Sequence, residues 1–90
     1  MATGRNLKAV ANDIADGFVT INPIYLKPFD PESVKLLYDA INKKQNELRA
    51  EPFPYGDVEK IRRRNLKLQR IYNSLILIKN YARERKIILG

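Results

Sequence analysis

Apolar positions fall at helical spacing in three stretches of the chain, and proline or glycine separates each stretch from the next. Leu7, Val10, Ala11, Ile14 and Ala15 recur at three- and four-residue steps, which places them on one face of a helix from about Arg5 to Asp16. Gly17 supplies a stop, and Thr3 or Asn6 can cap the start. Asp13 and Asp16 sit at the negative end of this helix dipole, a cost of about a few tenths of a kcal/mol that packing must offset.

From Phe18 to Phe29 the pattern becomes rich in β-branched and aromatic residues, and Pro23 and Pro28 exclude both a continuous helix and a central strand. The segment reads as extended, either a strap across helices, which is preferred, or an edge strand that pairs with another copy. Ile21, Ile24, Tyr25, Leu26 and Phe29 are its expected core contributions.

Asp30-Pro31-Glu32 is a helix start: aspartate accepts from open amides, proline suits the first helical position and glutamate complements the positive dipole end. Val34, Leu37, Tyr38, Ile41 and Leu48 give this helix an apolar stripe through to Ala50. The prolines of Glu51-Pro52-Phe53-Pro54-Tyr55-Gly56 then break it, and so short a connection implies an antiparallel hairpin. Phe53 and Tyr55 are expected to plug the open end of that hairpin or, alternatively, to stand exposed beside the basic surface of the helix that follows.

Asp57 caps the last segment, which has no proline or glycine as far as Ile88 and would measure about 48 Å as one helix. Val58, Ile61, Leu68, Tyr72, Leu75, Ile76 and Ala82 gather on one side, whereas Leu75-Ile76-Leu77-Ile78 is apolar around a whole turn and needs cover from several directions. The predicted fold is therefore mainly α, a single domain over residues 1–90. It comprises a short N-terminal helix (5–16), an extended proline-containing strap or edge strand (18–29), and an antiparallel hairpin (31–50 and 57–88) whose C-terminal helix is long and basic.

Composition removes most chemistry. The 90 residues include no cysteine and no histidine, so thiolate nucleophiles, disulfides, the commonest metal ligand and the commonest general base are all missing. Asp13 with Asp16, and Asp57 with Glu59, lack a third acidic ligand or a base. The glycines are isolated, and Ser33 and Ser74 have no partner that would activate them. No catalytic residue, metal, cofactor or small-molecule substrate is predicted. Nor is a membrane span: Met1-Ala2-Thr3-Gly4-Arg5 leads into a charged amphipathic stretch, and a cytoplasmic location is expected.

Charge is the sharpest feature. Residues 1–55 carry seven Lys plus Arg against seven Asp plus Glu, whereas residues 56–90 carry ten against three and hold the whole net charge of +7. At helical spacing Lys60, Arg63, Arg64, Lys67 and Arg70 fall within an arc of roughly 120° beside the apolar stripe. Only Glu59 can offset Arg63 along the helix, so the strip repels itself and an external anion would relieve it. Five phosphate contacts would give a slope of log K on log salt near about −4.5 with duplex DNA. The competing reading is a solvated face, or one neutralised by Asp39 and Glu47 of the neighbouring helix; an acidic protein or anionic membrane could also be the partner. Arg83, Arg85 and Lys86 form a second cluster that equally suits a helix C-terminus. Tyr72 and Tyr81 are expected in the core rather than under a base.

The preferred function is thus a non-enzymatic basic binding protein that contacts nucleic acid through Lys60, Arg63, Arg64, Lys67 and Arg70. The alternative is a self-associating or protein-binding adaptor, a homodimer or a complex with another chain. It would use Ile21, Ile24 and Tyr25 of the strap with Leu75, Ile76, Leu77 and Ile78.

Overall fold

A computed structural model describes residues 6–89. Its helices are α1 (Leu7–Asp16), α2 (Pro23–Leu26), α3 (Pro31–Ala50) and α4 (Val58–Glu84). The expected helix start at Arg5, the alternative cap at Thr3 and the Met1–Arg5 opening lie outside the described residues.

Every helix begins on a side chain that accepts from its open first-turn amides. Asn6 Oδ1 takes the Lys8 and Ala9 amides, Asn22 that of Tyr25, Asp30 that of Ser33 and Asp57 that of Lys60, at 2.8 to 3.3 Å. The Ser33 hydroxyl and amide bonded to the Asp30 carboxylate hold its pKa below the ordinary 3.8. At the far end of α1, Gly17 adopts φ 86° while its own amide and that of Phe18 return to the Ile14 and Asp13 carbonyls at 3.1 and 2.8 Å.

The strap differs from expectation in two respects: it is not extended throughout, and Ile24, expected in the core, is exposed. No strand occurs among the described residues, and the chain from Pro23 to Leu26 makes a turn of helix instead of running extended. Pro23 is the cause. Asn22 is an N-cap, so the proline that ends a helix elsewhere here occupies the first helical position, where its missing amide costs nothing. The α4 terminus also differs: the helix stops at Glu84, short of Ile88, because Lys86 takes φ 58° and the Ile87 amide folds back onto the Ala82 carbonyl at 2.8 Å. Folding back lets Ile87 and Leu89 pack against the core.

α3 and α4 form the hairpin, and α1 packs against both. The core is lopsided. α4 buries Ile71, Ser74, Leu75, Ile78, Tyr81 and Ala82 but nothing before Ile71, and these meet Val34, Leu37 and Ile41 of α3, Ile14 and Ala15 of α1, and Leu26 and Phe29. The buried Tyr81 hydroxyl donates to the Leu26 carbonyl at 3.4 Å, tying α2 to α4. The stripe expected on α4 is consequently rotated: Val58, Tyr72 and Ile76 face outward, and Ile71 and Tyr81 fill the core in their place. Within the molecule's 44 Å length, the first half of α4 and the end of α3, where Leu48 is buried, form an arm closed at its tip by residues 51–57.

Candidate functional site

Local bonding constrains the backbone of the arm's tip. Pro52 and Pro54 restrict the backbone, the Tyr55 amide donates to the Phe53 carbonyl at 2.9 Å, and the Asp57 amide donates to the Pro54 carbonyl at 3.2 Å. With Gly56 at φ 81° and Tyr55 on the negative-φ side, the second bond closes a type II turn. A Cβ at Gly56 would meet nothing within 4 Å, so glycine is needed there for its φ rather than for space. Asp57 then launches α4, whose first turns carry the cations.

Four of the five expected cations come together. Lys60, Arg63, Arg64 and Lys67 line a cleft of about 490 Å³ whose remaining walls are Leu48, Glu51, Pro52 and Pro54. Lys60 and Arg63 are exposed, with no carboxylate within ion-pair distance among the described residues. The Arg64 guanidinium lies 5.2 Å from the centre of the Phe53 ring, and its Nε is shielded from water without an acceptor. Lys67 pairs with Asp16 of α1 at 3.6 Å, but both side chains are about two-fifths exposed, so the pair is weak and readily exchanged.

Arg70 is drawn away. Its Nη1 donates to the Ala15 carbonyl at 3.0 Å, at the negative end of α1, and its Cζ would lie 2.9 Å from a Cβ on Gly17. It belongs to the packing of α1 on α4, so the strip divides into four cleft cations and one structural one. The expected local offset shifts as well: Glu59 pairs with Arg62 at 3.3 Å instead of Arg63. Asp39 and Glu47 line a separate groove of about 280 Å³ between α1 and α3, beside Lys8, Lys43 and Lys44. They do not neutralise the strip. In the second basic cluster, Arg85 lies 3.9 Å from the Tyr81 ring centre and 3.8 Å from Glu84.

The residues expected at a protein interface scatter. Ile21, Leu75 and Ile78 are consumed in the core, Tyr25 and Leu77 are half-buried against it, and Ile24 and Ile76 keep exposed surface. The Leu75–Ile78 turn is covered largely by its own molecule.

One feature escapes sequence reasoning, the Gly17–Arg70 approach, a contact between residues 53 positions apart that leaves no periodic trace. Tyr55 is 86% exposed, with its ring 4.8 Å from that of Phe53. Of the two readings for these aromatics, the structure realises exposure beside the basic surface.

Chemically, the cleft offers two guanidinium forks and two ammonium groups, a donor set that matches phosphate oxygens. Among the described residues no helix is long and apolar enough to cross a membrane. No protein-family model, curated protein or solved structure matches the chain.

Proposed function

We propose that the protein is a non-enzymatic nucleic-acid-binding protein that seats backbone phosphates in the cleft of the arm. The observation carrying this reading is the convergence of Lys60, Arg63, Arg64 and Lys67 on one concave surface, with Glu51 the one carboxylate in its lining among the described residues.

The structure also revises the expected magnitude. Arg70 drops out of the count and Lys67 must release Asp16 to contribute, so three to four phosphates are neutralised. The slope of log K on log salt with random duplex DNA then becomes about −2.7 to −3.6. Titrations at several salt concentrations, with duplex DNA and a structured RNA, measure it. Arg63→Ala should flatten the slope by about 0.9, and Arg70→Ala should leave it unchanged in the folded protein. Absent binding, or binding indifferent to salt, refutes the proposal.

Self-association is the second reading, favoured by the row of apolar side chains that α4 turns outward, Val58, Leu66, Tyr72 and Ile76, and by exposed Ile24. Sedimentation velocity across a concentration series should then show a mass above the monomer that Ile76→Ser reduces. A constant monomer removes this reading.

A further inference from the structure

We infer that the preferred ligand is single-stranded, with a phosphate in the cleft and an unpaired base stacked on Tyr55; this rests on the nucleic-acid reading above. The tip supports it in three ways. First, Tyr55 is the most exposed large hydrophobic residue among the described residues, and backbone hydrogen bonds from Tyr55 to Phe53 and from Asp57 to Pro54 hold the main chain that carries it at the tip of the arm.

Second, the ring is continuous with the cleft. The Arg64 guanidinium sits 5.2 Å from the Phe53 ring centre and Phe53 sits 4.8 Å from Tyr55, tilted at 58°, so the three form a path from the basic surface to the outermost ring. Phe53 packs on the inner side and leaves Tyr55 largely open, and one strand can set a phosphate beside Arg64 and lay the neighbouring base on Tyr55.

Third, bases inside a duplex have both faces covered by their neighbours, so away from its ends only an unpaired or splayed base can take the Tyr55 ring. The interior of a duplex would gain the phosphate contacts alone. Stacking on an aromatic is tolerant of base identity, so the discrimination is by strandedness and not by sequence.

The test is fluorescence anisotropy on the full chain with four labelled oligomers of equal length: single-stranded DNA, single-stranded RNA, the matching duplex, and an abasic phosphodiester strand. The base-bearing strands should bind roughly 5- to 150-fold more tightly than the abasic one, the range spanned by a single base–aromatic stack. Tyr55→Ala should erase that difference while leaving abasic binding intact, and Tyr55→Phe should retain it. Circular dichroism confirms that these variants of an exposed residue stay folded. Equal affinity for base-bearing and abasic single strands, a duplex bound at least as tightly as both base-bearing single strands, or a Tyr55→Ala protein that still discriminates overturns the proposal while leaving phosphate binding standing. Failure to bind any of the four overturns both. A gap between the DNA and RNA arms, with base dependence in either, supports the proposal and identifies the sugar of the preferred strand.

Discussion

Gly17 and Arg70 should behave as a single energetic unit, which a double-mutant cycle can measure. Arg70→Ala removes the hydrogen bond from the guanidinium to the Ala15 carbonyl, 3.0 Å long and partly buried. A hydrogen bond to a charged group contributes about 1.5–3 kcal/mol, so a loss near ~2 kcal/mol is expected. Gly17→Ala acts twice. At φ 86° a Cβ costs about 1–2 kcal/mol by itself, and the new methyl would stand 2.9 Å from Arg70 Cζ. The arginine is flexible and can move aside with little steric penalty, but in moving it gives up the carbonyl. Gly17→Ala should therefore cost roughly 3 kcal/mol, containing within it most of the Arg70→Ala effect.

The double variant then has only the φ penalty left to add. Its total should also be near ~3 kcal/mol, where independent sites would sum to about 5, a coupling of about 2 kcal/mol. Thermal melts followed by far-ultraviolet circular dichroism have the resolution, since about 1 kcal/mol moves the midpoint of a domain this size by roughly 4–8 °C. Additivity within about 0.5 kcal/mol would refute the reasoning, because it would mean that the guanidinium and the glycine do not share one space.

Other consequences follow from single residues. Lys86 ends α4 at φ 58°, so Lys86→Gly should raise stability by about 0.5–1 kcal/mol, read as a higher melting midpoint; an unchanged or lower midpoint contradicts the assignment of strain there. The Asp30 carboxyl should titrate below 3.8 by carboxyl-carbon NMR. Because its folded pKa is lowered, its stabilisation is complete above the unfolded value and is lost as pH falls through the folded one, and Asp30→Asn, which still caps, should flatten that acid limb. Ile71, fully buried, should cost about 2–5 kcal/mol on truncation to alanine in chemical denaturation, while exposed Val58 should change stability by under about 0.5 kcal/mol.

What the sequence made legible is what local physics controls. Asp30-Pro31 and Asp57 open their helices where the cap chemistry places them, and the two prolines of the connection produce the hairpin. The strip at Lys60, Arg63, Arg64 and Lys67 was readable because helical spacing alone sets its face. The misread positions have non-local or ambiguous causes. Pro23 carries the same residue type whether it ends a helix or begins one, and Asn22 decides which. Lys86 ends α4 without glycine, so nothing in its identity marks the stop. Val58 and Ile71 both suit an apolar stripe, and the choice between them depends on where α1 and α3 meet α4.

The division of labour along α4 follows from the same contacts. Its second half is held by the core from Ile71 to Ala82, and the cation nearest that core, Arg70, has been drawn into the packing of α1. One turn further out, Lys67 is half committed, paired with Asp16 but still wet. Beyond it, Lys60 and Arg63 make no ion pair among the described residues, although Glu51 lines the same cleft, and Arg64 lies over the Phe53 ring. Along this strip, from Arg70 out to Lys60, neutralisation weakens with distance from the core, and its unrelieved charge lies in the half of α4 before its first buried residue, Ile71. Like-charge repulsion there raises the energy of the arm without threatening the packed end, and an incoming anion lowers it. A phosphate chain is a fitting counterpart because its charges repeat along a line, as those of the exposed helix face do.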